Sequence, residues 1–312
     1  MTDRLLVFSN AEVQKLLKEK FIPVACNDWY QRRRQDAEGE FFRSVANQGP
    51  RKGQGGSTRQ GHYILTAGVK LLGFNNNRGP ERRLKMMHDA LRKWNRLPAA
   101  DKQAKVPDHG QVDAKYHRAL PDSARVIKVT TRALEKAGDK YQHIQKNIPG
   151  KLAAVDHLWL RDNEINQIKK LMQSGGGLLP KPMAYRIARY HFTDSTRGEP
   201  PLWKITEVKN FHFKVAKQGK IGGTFHLETT DGKRGYQGVF EGGISFSAAG
   251  KINDFQLLAH GKHWGEGRYT RVARTGKTTL ATYFKHVAQP KAADLIPPQG
   301  MHWEQGYWQA DK

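Results

Sequence analysis

The feature that most constrains the fold is a two-residue hydrophobic period in the segment from about residue 204 to residue 264. Apolar and polar residues alternate in "NFHFKVAKQGKIGGTFHLET", as they do in a strand with one buried face and one solvated face. Turn sequences that contain glycine, "KQGK", "TDGK" and "AAGK", separate the alternating runs. Strands joined by short turns predict an antiparallel meander, either a curved sheet or a small barrel. "GRYTRVAR" and "TTLATYFKHV" are candidates for two further strands.

The first hundred residues show a different pattern, in which helical and strand periods alternate. "AEVQKLLKEKF", "DAEGEFFRSVANQ" and "GPERRLKMMHDALRKWNRL" indicate three helices, the first and last from apolar residues at helical spacing. "HYILTAGVKLLGFNN" has two apolar runs around a turn, which predicts a β-hairpin. The short apolar run "FIPVAC", residues 21–26, predicts a buried strand. The predicted order is helix, strand, helix, glycine-rich loop, hairpin and helix.

These residues, in this order, resemble the later part of a thioredoxin-like domain. In residues 9–94, "NAEVQKLLKEKFIPVACND", "QGHYILTAGVKLLGF" and the helix after "GPERR" take the places of that family's helix and strand, hairpin, and following helix. The family's CxxC segment has no counterpart in this sequence. In addition, "TRQGHY", with Gln60 and Gly61, stands where the family usually has a cis-proline. The resemblance therefore implies the fold without the usual redox chemistry.

The whole chain also resembles a group of bacterial proteins that join such a domain to a β-rich C-terminal region. The blocks that carry this resemblance are "WYxRRxxDxEGxFFR" and "HWGEGxYTRxAR". It implies an arrangement of domains but no activity. We therefore predict an α+β chain with a shortened thioredoxin-like α/β domain at 1–97, a linker and mixed α/β segment at 98–203, and an antiparallel β domain at 204–312.

The cysteine count and the apolar pattern exclude several classes of protein. One cysteine excludes an intramolecular disulfide, a CxxC redox pair and a cysteine-based zinc site. No segment approaches the roughly 18 consecutive apolar residues that a membrane helix needs. The N-terminal sequence "MTDRLLVFSNAEVQ" also does not resemble a signal peptide. We expect a cytoplasmic protein without a membrane span.

The chain is strongly basic, with 53 Lys and Arg against 29 Asp and Glu, a formal net charge of +24. Such an excess favours polyanionic partners, namely nucleic acid, acidic membrane surfaces or acidic proteins. The excess is spread over both halves of the sequence and is not gathered in one tail or helix. The charge alone therefore makes nucleic acid a candidate ligand but not the favoured one.

Cys26 is the candidate catalytic residue, with two interpretations. Arg32, Arg33 and Arg34 follow it, and nearby cations lower the pKa of a thiol and make it reactive. In a strand, however, Cys26 lies on the same side as Ile22 and Val24, and an unpaired cysteine usually packs as a small hydrophobic residue. The sequence favours core packing for Cys26.

Two clusters of aromatic and charged residues are candidate ligand-binding sites. The first consists of Asp28, Trp29, Tyr30 and Arg32. Aromatic rings beside arginines can stack on a nucleotide and clamp it. The alternative is a salt-bridged helix, in which Arg32 pairs with Asp36 and Arg34 pairs with Glu38 at i,i+4 spacing.

The second candidate ligand site lies in "HWGEGRYTR" and consists of Trp264, Glu266 and Arg268. These residues offer an aromatic surface, a carboxylate and a guanidinium at the mouth of the predicted β domain. The alternative is that the tryptophan closes the end of the β domain and binds nothing.

Four histidines of the β-rich region predict a transition-metal site. They are His212, His226, His260 and His263. His212 and His226 project from the polar face, and a turn at Gln218 and Gly219 places them directly opposite one another. Imidazoles near a carboxylate such as Glu266 suit zinc, copper or non-haem iron. The alternative is a polar sheet face that simply carries histidines.

From these observations we expect a non-catalytic thioredoxin-like protein that binds a protein partner or a small-molecule ligand. The alternatives are a thiol-dependent redox protein that uses Cys26, and a metal-binding protein or metalloenzyme that uses the histidines. The cofactor stays open, with a transition metal as the candidate.

Overall fold

The structure is a computed structural model that describes residues 7–8, 10–53, 58–77, 79–104, 110–116, 120, 124–143, 153–196, 199–268, 274–302 and 304–309. It contains helices and antiparallel strands, which agrees with the predicted α+β class. The chain divides into two compact units, one from Asp3 to Ala119 and one from Leu120 to Lys312. We call them the N-terminal unit and the C-terminal unit and describe each by itself.

In its described residues, the N-terminal unit consists of helices and one short hairpin. Its elements are α1 (Ala11–Lys20), α2 (Asp28–Gln31), α3 (Ala37–Ala46), β1 (His62–Leu65), β2 (Leu71–Asn75), α4 (Pro80–Arg96) and α5 (Ala99–Lys102). The strands β1 and β2 pair antiparallel, as the sequence predicts. The three predicted helices are present as α1, α3 and α4.

Local side-chain chemistry sets where these helices begin. The side chain of Asn10 accepts hydrogen bonds from the backbone N–H groups of Glu12 and Val13, and so caps α1. Asp36 caps α3 in the same way through Gly39. Pro80 occupies the first turn of α4. A backbone N–H at this position would have no partner within the helix, so proline, which lacks one, costs no hydrogen bond there. The apolar faces of α1 and α4 meet around the buried residues Val13 and Met87.

The prediction of a buried strand at residues 21–26 is wrong. The segment forms no strand, and Ile22 and Val24 are 93% and 81% exposed. A short apolar run has the same pattern whether it pairs inside a sheet or not, because pairing depends on a neighbour that lies elsewhere in the chain. Among the residues described in this unit, β1 and β2 pair only with one another.

The C-terminal unit is built on one nine-stranded antiparallel sheet. Its strands are β3 (Ala124–Ala137), β4 (Lys140–His143), β5 (Ala154–Arg161), β6 (Gly176–Leu178), β7 (Val208–Ala216), β8 (Lys220–Glu228), β9 (Gly235–Phe246), β10 (Ile252–Trp264) and β11 (Thr278–His286). Its helices are α6 (Asp162–Gln173), α7 (Lys181–His191) and α8 (Glu304–Trp308).

The sheet confirms the meander predicted from residue 204 onward and extends it at both ends. Strands β7 to β11 are neighbours in chain order, β3 pairs with β11, and β4 and β5 both pair with β3. The sheet is open within the described strands, because β6 at one end pairs only with β7. The segment predicted as a linker therefore supplies β3 to β6, α6 and α7 to the C-terminal unit. Most of the predicted strand "GRYTRVAR", residues 269–273, lies outside the described residues.

The inner face of the sheet holds the main core. Helix α7 packs against β5 and β7, and Phe192, just after its last residue, is fully buried. The ring centroid of Phe192 lies 4.8 Å from that of Phe225 and 5.8 Å from that of Phe284. The backbone oxygen of Phe192 accepts a hydrogen bond from the indole N–H of the buried Trp203. Loss of one such buried aromatic side chain typically costs about 3–5 kcal/mol.

The opposite side of strands β7 to β11 and β3 faces solvent, and we call it the outer face. It carries the polar members of the two-residue alternation, such as Lys214, Thr224 and Lys262, together with a few exposed apolar residues. In the described part of the chain, none of the helices combines the length and the apolar composition that crossing a bilayer requires.

Candidate functional site

Cys26 is exposed, which contradicts the core-packing prediction. The error follows from the missing strand, because residues 21–26 are not covered by a sheet. Although the residue as a whole is exposed, the pKa of the Cys26 thiol is raised, first by desolvation around the sulfur and then by the carboxylates of Glu38 and Asp28. A raised pKa leaves the thiol protonated at neutral pH, so its surroundings do not activate it as a nucleophile.

Asp28 and Arg32 serve the architecture of the N-terminal unit. The carboxylate of Asp28 accepts hydrogen bonds from the backbone N–H of Arg59 at 2.9 Å and from the hydroxyl of Thr58 at 3.0 Å. Arg32 lies 3.8 Å from the same carboxylate, so it pairs with Asp28 and not with Asp36 as predicted. Both spacings are four residues, and the sequence cannot choose between them. Asp28 thus anchors α2 to the segment before β1.

Trp29 and Tyr30 belong to a packed aromatic cluster. Their ring centroids are 5.3 Å apart, and the ring of Tyr116 lies 5.7 Å from Trp29 and 6.2 Å from Tyr30. The guanidinium of Arg33 covers the Trp29 ring at 4.3 Å. These rings already have partners within the unit, so this cluster resembles an aromatic anchor more than an open ligand clamp.

The predicted pair of Arg34 with Glu38 is present, and Arg34 also binds Asp36. The hydrogen bond from Arg34 is the main cause that holds the pKa of Asp36 well below its usual range. Asp36 also accepts the backbone N–H of Asp113 at 2.9 Å, which joins α3 to a segment 77 residues later. This arrangement is structural.

The four histidines do not converge on one point. The loop between β7 and β8 has three residues and ends at Gly219, whose φ is 80°. The register is therefore shifted from the prediction, and His212 pairs with Thr224 while His226 pairs with Asn210. A three-residue loop with a left-handed glycine is a common hairpin connection that the sequence does not distinguish from a two-residue one.

Distances across the sheet exclude a site shared by all four histidines. His212 and His260 lie on one line across the outer face, three strands apart, or about 14 Å at the usual strand spacing. His263 points to the inner face, where it is buried beside Tyr236. His226 binds Glu228 at 2.7 Å. No group of three or more His, Cys, Asp or Glu side chains suited to a metal occurs among the described residues.

Trp264 closes the end of the sheet, which was the alternative to a ligand site formed by Trp264, Glu266 and Arg268. Its indole N–H donates to the backbone oxygen of Gly232 at 2.9 Å, and the ammonium of Lys277 lies 4.0 Å from its ring centroid. Glu266 and Arg268 are exposed and follow the end of β10. Whether these three residues form a ligand site stays a prediction, because residues 269–273, which follow Arg268, lie outside the described residues.

A buried polar network, which the sequence analysis missed, crosses the C-terminal unit. The Nδ1 atom of His191 lies 2.8 Å from Asp156, and its Nε2 atom lies 2.9 Å from the hydroxyl of Tyr307. Asp156 also accepts the backbone N–H of Gln299, a residue with φ of 52°, in the left-handed region that residues other than glycine seldom adopt. His191 and Tyr307 are 1% and 0% exposed, so substrate has no access. The network attaches the C-terminal segment to α7 and β5.

The outer face carries an excess of cations that only the observed register brings together. These exposed cations are Lys128, Arg132, Lys214, Lys220, Lys262 and Lys285. None of the six forms an ion pair within the part of the chain that the structure describes. Of the carboxylates on the same face, Glu228 is bound to His226 and Asp254 accepts from Gln256. A third, the exposed Glu241, lies between Gly222 of β8 and Leu258 of β10.

Two of these cations lie directly opposite one another. Lys128 of β3 pairs in register with Lys285 of β11. Cβ atoms at such positions are about 5 Å apart, and like charges there destabilise a sheet. In the sequence, this surface is visible only as lysines at alternate positions of several strands. Which lysines are neighbours depends on how the strands pair.

An open groove of about 460 Å³ lies at one end of the outer face. Its lining residues are Leu178, His212, Lys214, Gly222, Gly223 and Thr224. Leu178 and Gly222 pair in register with Lys214 from its two sides, so the groove follows one line of side chains across β6, β7 and β8.

Comparisons with protein-family models, with curated proteins and with solved structures found no match for this chain.

Proposed function

We propose that this protein acts by binding and not by catalysis, and that its ligand is a polyanion held on the outer face of the sheet. The observation that carries the proposal is the set of six exposed cations without ion pairs, two of which, Lys128 and Lys285, oppose one another in register. A bound anion between them would convert a repulsive pair into an attractive site.

The distance over which these charges act in solution supports the binding of a polyanion. At physiological ionic strength the Debye length is about 8 Å, so charges on neighbouring strands act together while distant ones do not. Adjacent strands are about 4.8 Å apart, which places Lys285 within that range of Lys128 on one side and of the β10 side chains on the other. A linear polyanion that crosses several strands would contact these cations at once.

The two catalytic alternatives find less support. The raised pKa of Cys26 opposes a thiolate mechanism. The histidines are separated on different strands and faces, which opposes a metal centre built from them.

The thioredoxin-like resemblance of the N-terminal unit stays part of this proposal. Its support is the order of α1, α3, the β1–β2 hairpin and α4, together with the absence of CxxC from the sequence, while the strand expected at residues 21–26 is missing from that order. The resemblance assigns the unit a scaffold role without redox activity.

The test is binding of labelled heparin and of a labelled 20-nucleotide oligo(dT) as a function of salt concentration. The K128Q/K285Q variant removes the opposed pair. The matched control is K15Q/K18Q, which neutralises two exposed lysines of α1 and so makes the same change in net charge.

We expect K128Q/K285Q to weaken binding of both probes about tenfold at 0.1 M salt. For oligo(dT), the slope of log Kobs against log salt should fall in magnitude by about 1.4, because each phosphate contact contributes about 0.7. The control variant should change neither quantity appreciably. Equal effects of the two variants, or no binding of either probe at low salt, would refute the proposal.

A further inference from the structure

The outer face carries more than charge. A strip of apolar and ring-bearing side chains crosses it on two adjacent lines of the register. The strip consists of Leu178, His212, Val239, Leu258, His260 and Tyr283. Leu178, Val239 and Leu258 are 58%, 44% and 37% exposed. Exposed apolar side chains are ordinary when they are scattered, but these lie on neighbouring lines of one face.

The cations lie beside and along this strip. Lys220, Lys285 and Lys128 follow the next line on one side, and Lys262 lies on the next line on the other side. Lys214 lies on the strip itself, between Leu178 and Gly222, and Arg132 lies at its β3 end. The exposed Glu241 also lies on the strip, between Gly222 and Leu258, so the cations outnumber the carboxylates but are not alone there. A polymer of phosphate or sulfate groups would need only the cations and would leave the apolar surface unused.

The groove at the end of the strip depends on a glycine that the fold does not require. A Cβ atom on Gly222 would meet only one atom within 4 Å, the backbone oxygen of Phe240 at 3.9 Å. Its φ is not in the left-handed region. Gly223 differs, since a Cβ there would lie 1.7 Å from the backbone oxygen of His212. A Cβ atom at residue 222 would therefore fit the fold, and a longer side chain there would extend into the groove.

The groove walls combine an apolar side chain, an imidazole ring and an ammonium group, from Leu178, His212 and Lys214. This combination suits a nucleotide. The planar base packs against apolar and ring-bearing side chains, and the phosphate of the same nucleotide contacts the cation. Stacking platforms flanked by positive charge are the general means by which proteins hold single-stranded nucleic acid.

We infer that the polyanion is single-stranded nucleic acid, with its bases on the strip and one base in the groove over Gly222. This inference rests on the proposed function and makes it more specific. A duplex hides the faces of its bases within the stack and cannot use the strip. A chain of acidic residues alone, such as poly-glutamate, would use the cations but has no planar ring for the groove.

The experiment measures the affinities of 15-nucleotide oligo(dT) and oligo(rU), a 15-base-pair duplex, heparin and poly-glutamate at 0.1 M salt. G222L fills the groove and H212A removes one wall. G243L is the matched control, because Gly243 lies on the same face outside the groove and a Cβ there has its nearest neighbour at 3.7 Å. Thermal unfolding of each variant verifies that it is folded.

We expect G222L and H212A each to weaken binding of the single strands at least about fivefold, in keeping with the stacking energy of one base. Heparin binding should change less than twofold, and G243L should bind the single strands like the unmodified protein. K128Q/K285Q should weaken every polyanion that binds.

The outcomes separate the two proposals. If all polyanions bind, K128Q/K285Q weakens them and the groove variants have no effect, the proposed function stands and the inference fails. Tighter binding of the duplex or of poly-glutamate than of the single strands also overturns the inference. If no polyanion binds at all, both proposals fail.

Discussion

Removing the hydroxyl group of Tyr307 tests whether the buried network holds the C-terminal segment in place. In Y307F the ring remains beneath the guanidinium of Arg186, which lies 4.4 Å from its centroid, so the packing is retained. Two buried groups lose their partner: His191 Nε2, 2.9 Å from the hydroxyl, and the backbone N–H of Trp159, which donates to it at 3.4 Å. The substitution therefore removes the hydrogen bonds of the Tyr307 hydroxyl group while the ring stays buried.

The magnitude follows from these two contacts. A buried polar group left without a partner costs about 1–3 kcal/mol, and the longer contact to Trp159 contributes the smaller share. We expect Y307F to lower the free energy of unfolding by about 2–3 kcal/mol. For a unit of this size, 1 kcal/mol corresponds to about 2–4 °C in melting temperature, so the expected decrease is about 4–12 °C.

The assay is thermal and urea unfolding followed by circular dichroism, with Y283F as the control. Tyr283 also donates its hydroxyl, to Gln256 at 2.7 Å, but this contact is on the exposed outer face where water replaces it. Y283F should change the free energy of unfolding by less than about 0.5 kcal/mol. A Y307F protein as stable as Y283F would show that the network does not contribute to folding as the distances indicate.

The exposure of residues 21–26 predicts that I22A and V24A each change stability by less than about 0.5 kcal/mol, whereas V13A, at a fully buried position, costs about 2 kcal/mol in urea unfolding. Large losses from I22A and V24A would instead support a buried strand. The raised pKa of Cys26 predicts that iodoacetamide modifies it more slowly than free glutathione at pH 7, and that the rate rises as pH increases through the raised pKa. Modification faster than that of glutathione at pH 7 would contradict this, and C26S identifies the labelled residue.

The parts of the fold that depend on local sequence were predictable. The two-residue alternation from 204 onward and the glycine turns define β7 to β10, and the helical spacing of Leu84, Met87, Leu91 and Trp94 defines α4. These signals are local because side-chain periodicity and turn chemistry act over a few residues. Pairings over long separations, such as β3 with β11, have no comparable local signal.

The candidate sites were less predictable, because each depends on which residues meet. A change of one residue in hairpin loop length moved His212 away from His226, and with it the argument for a metal. The same register brought Lys128 opposite Lys285, which no local pattern indicates. Asp156, His191 and Tyr307 come from three distant parts of the sequence, and each looks ordinary there.

The outer face carries residues that cost stability, which is the physical reason to assign it a function. A glycine within a strand is less stable than a residue with a side chain, by about 0.5–1 kcal/mol, and nothing around Gly222 requires its absence of a side chain. Lys128 opposite Lys285 has a similar unfavourable effect. If binding is what retains these residues, G222L and K128Q should bind less and yet unfold at the same or higher urea concentration than the unmodified protein. Reduced stability in both variants would mean that the glycine and the lysine serve the fold itself, and the argument from cost would fail.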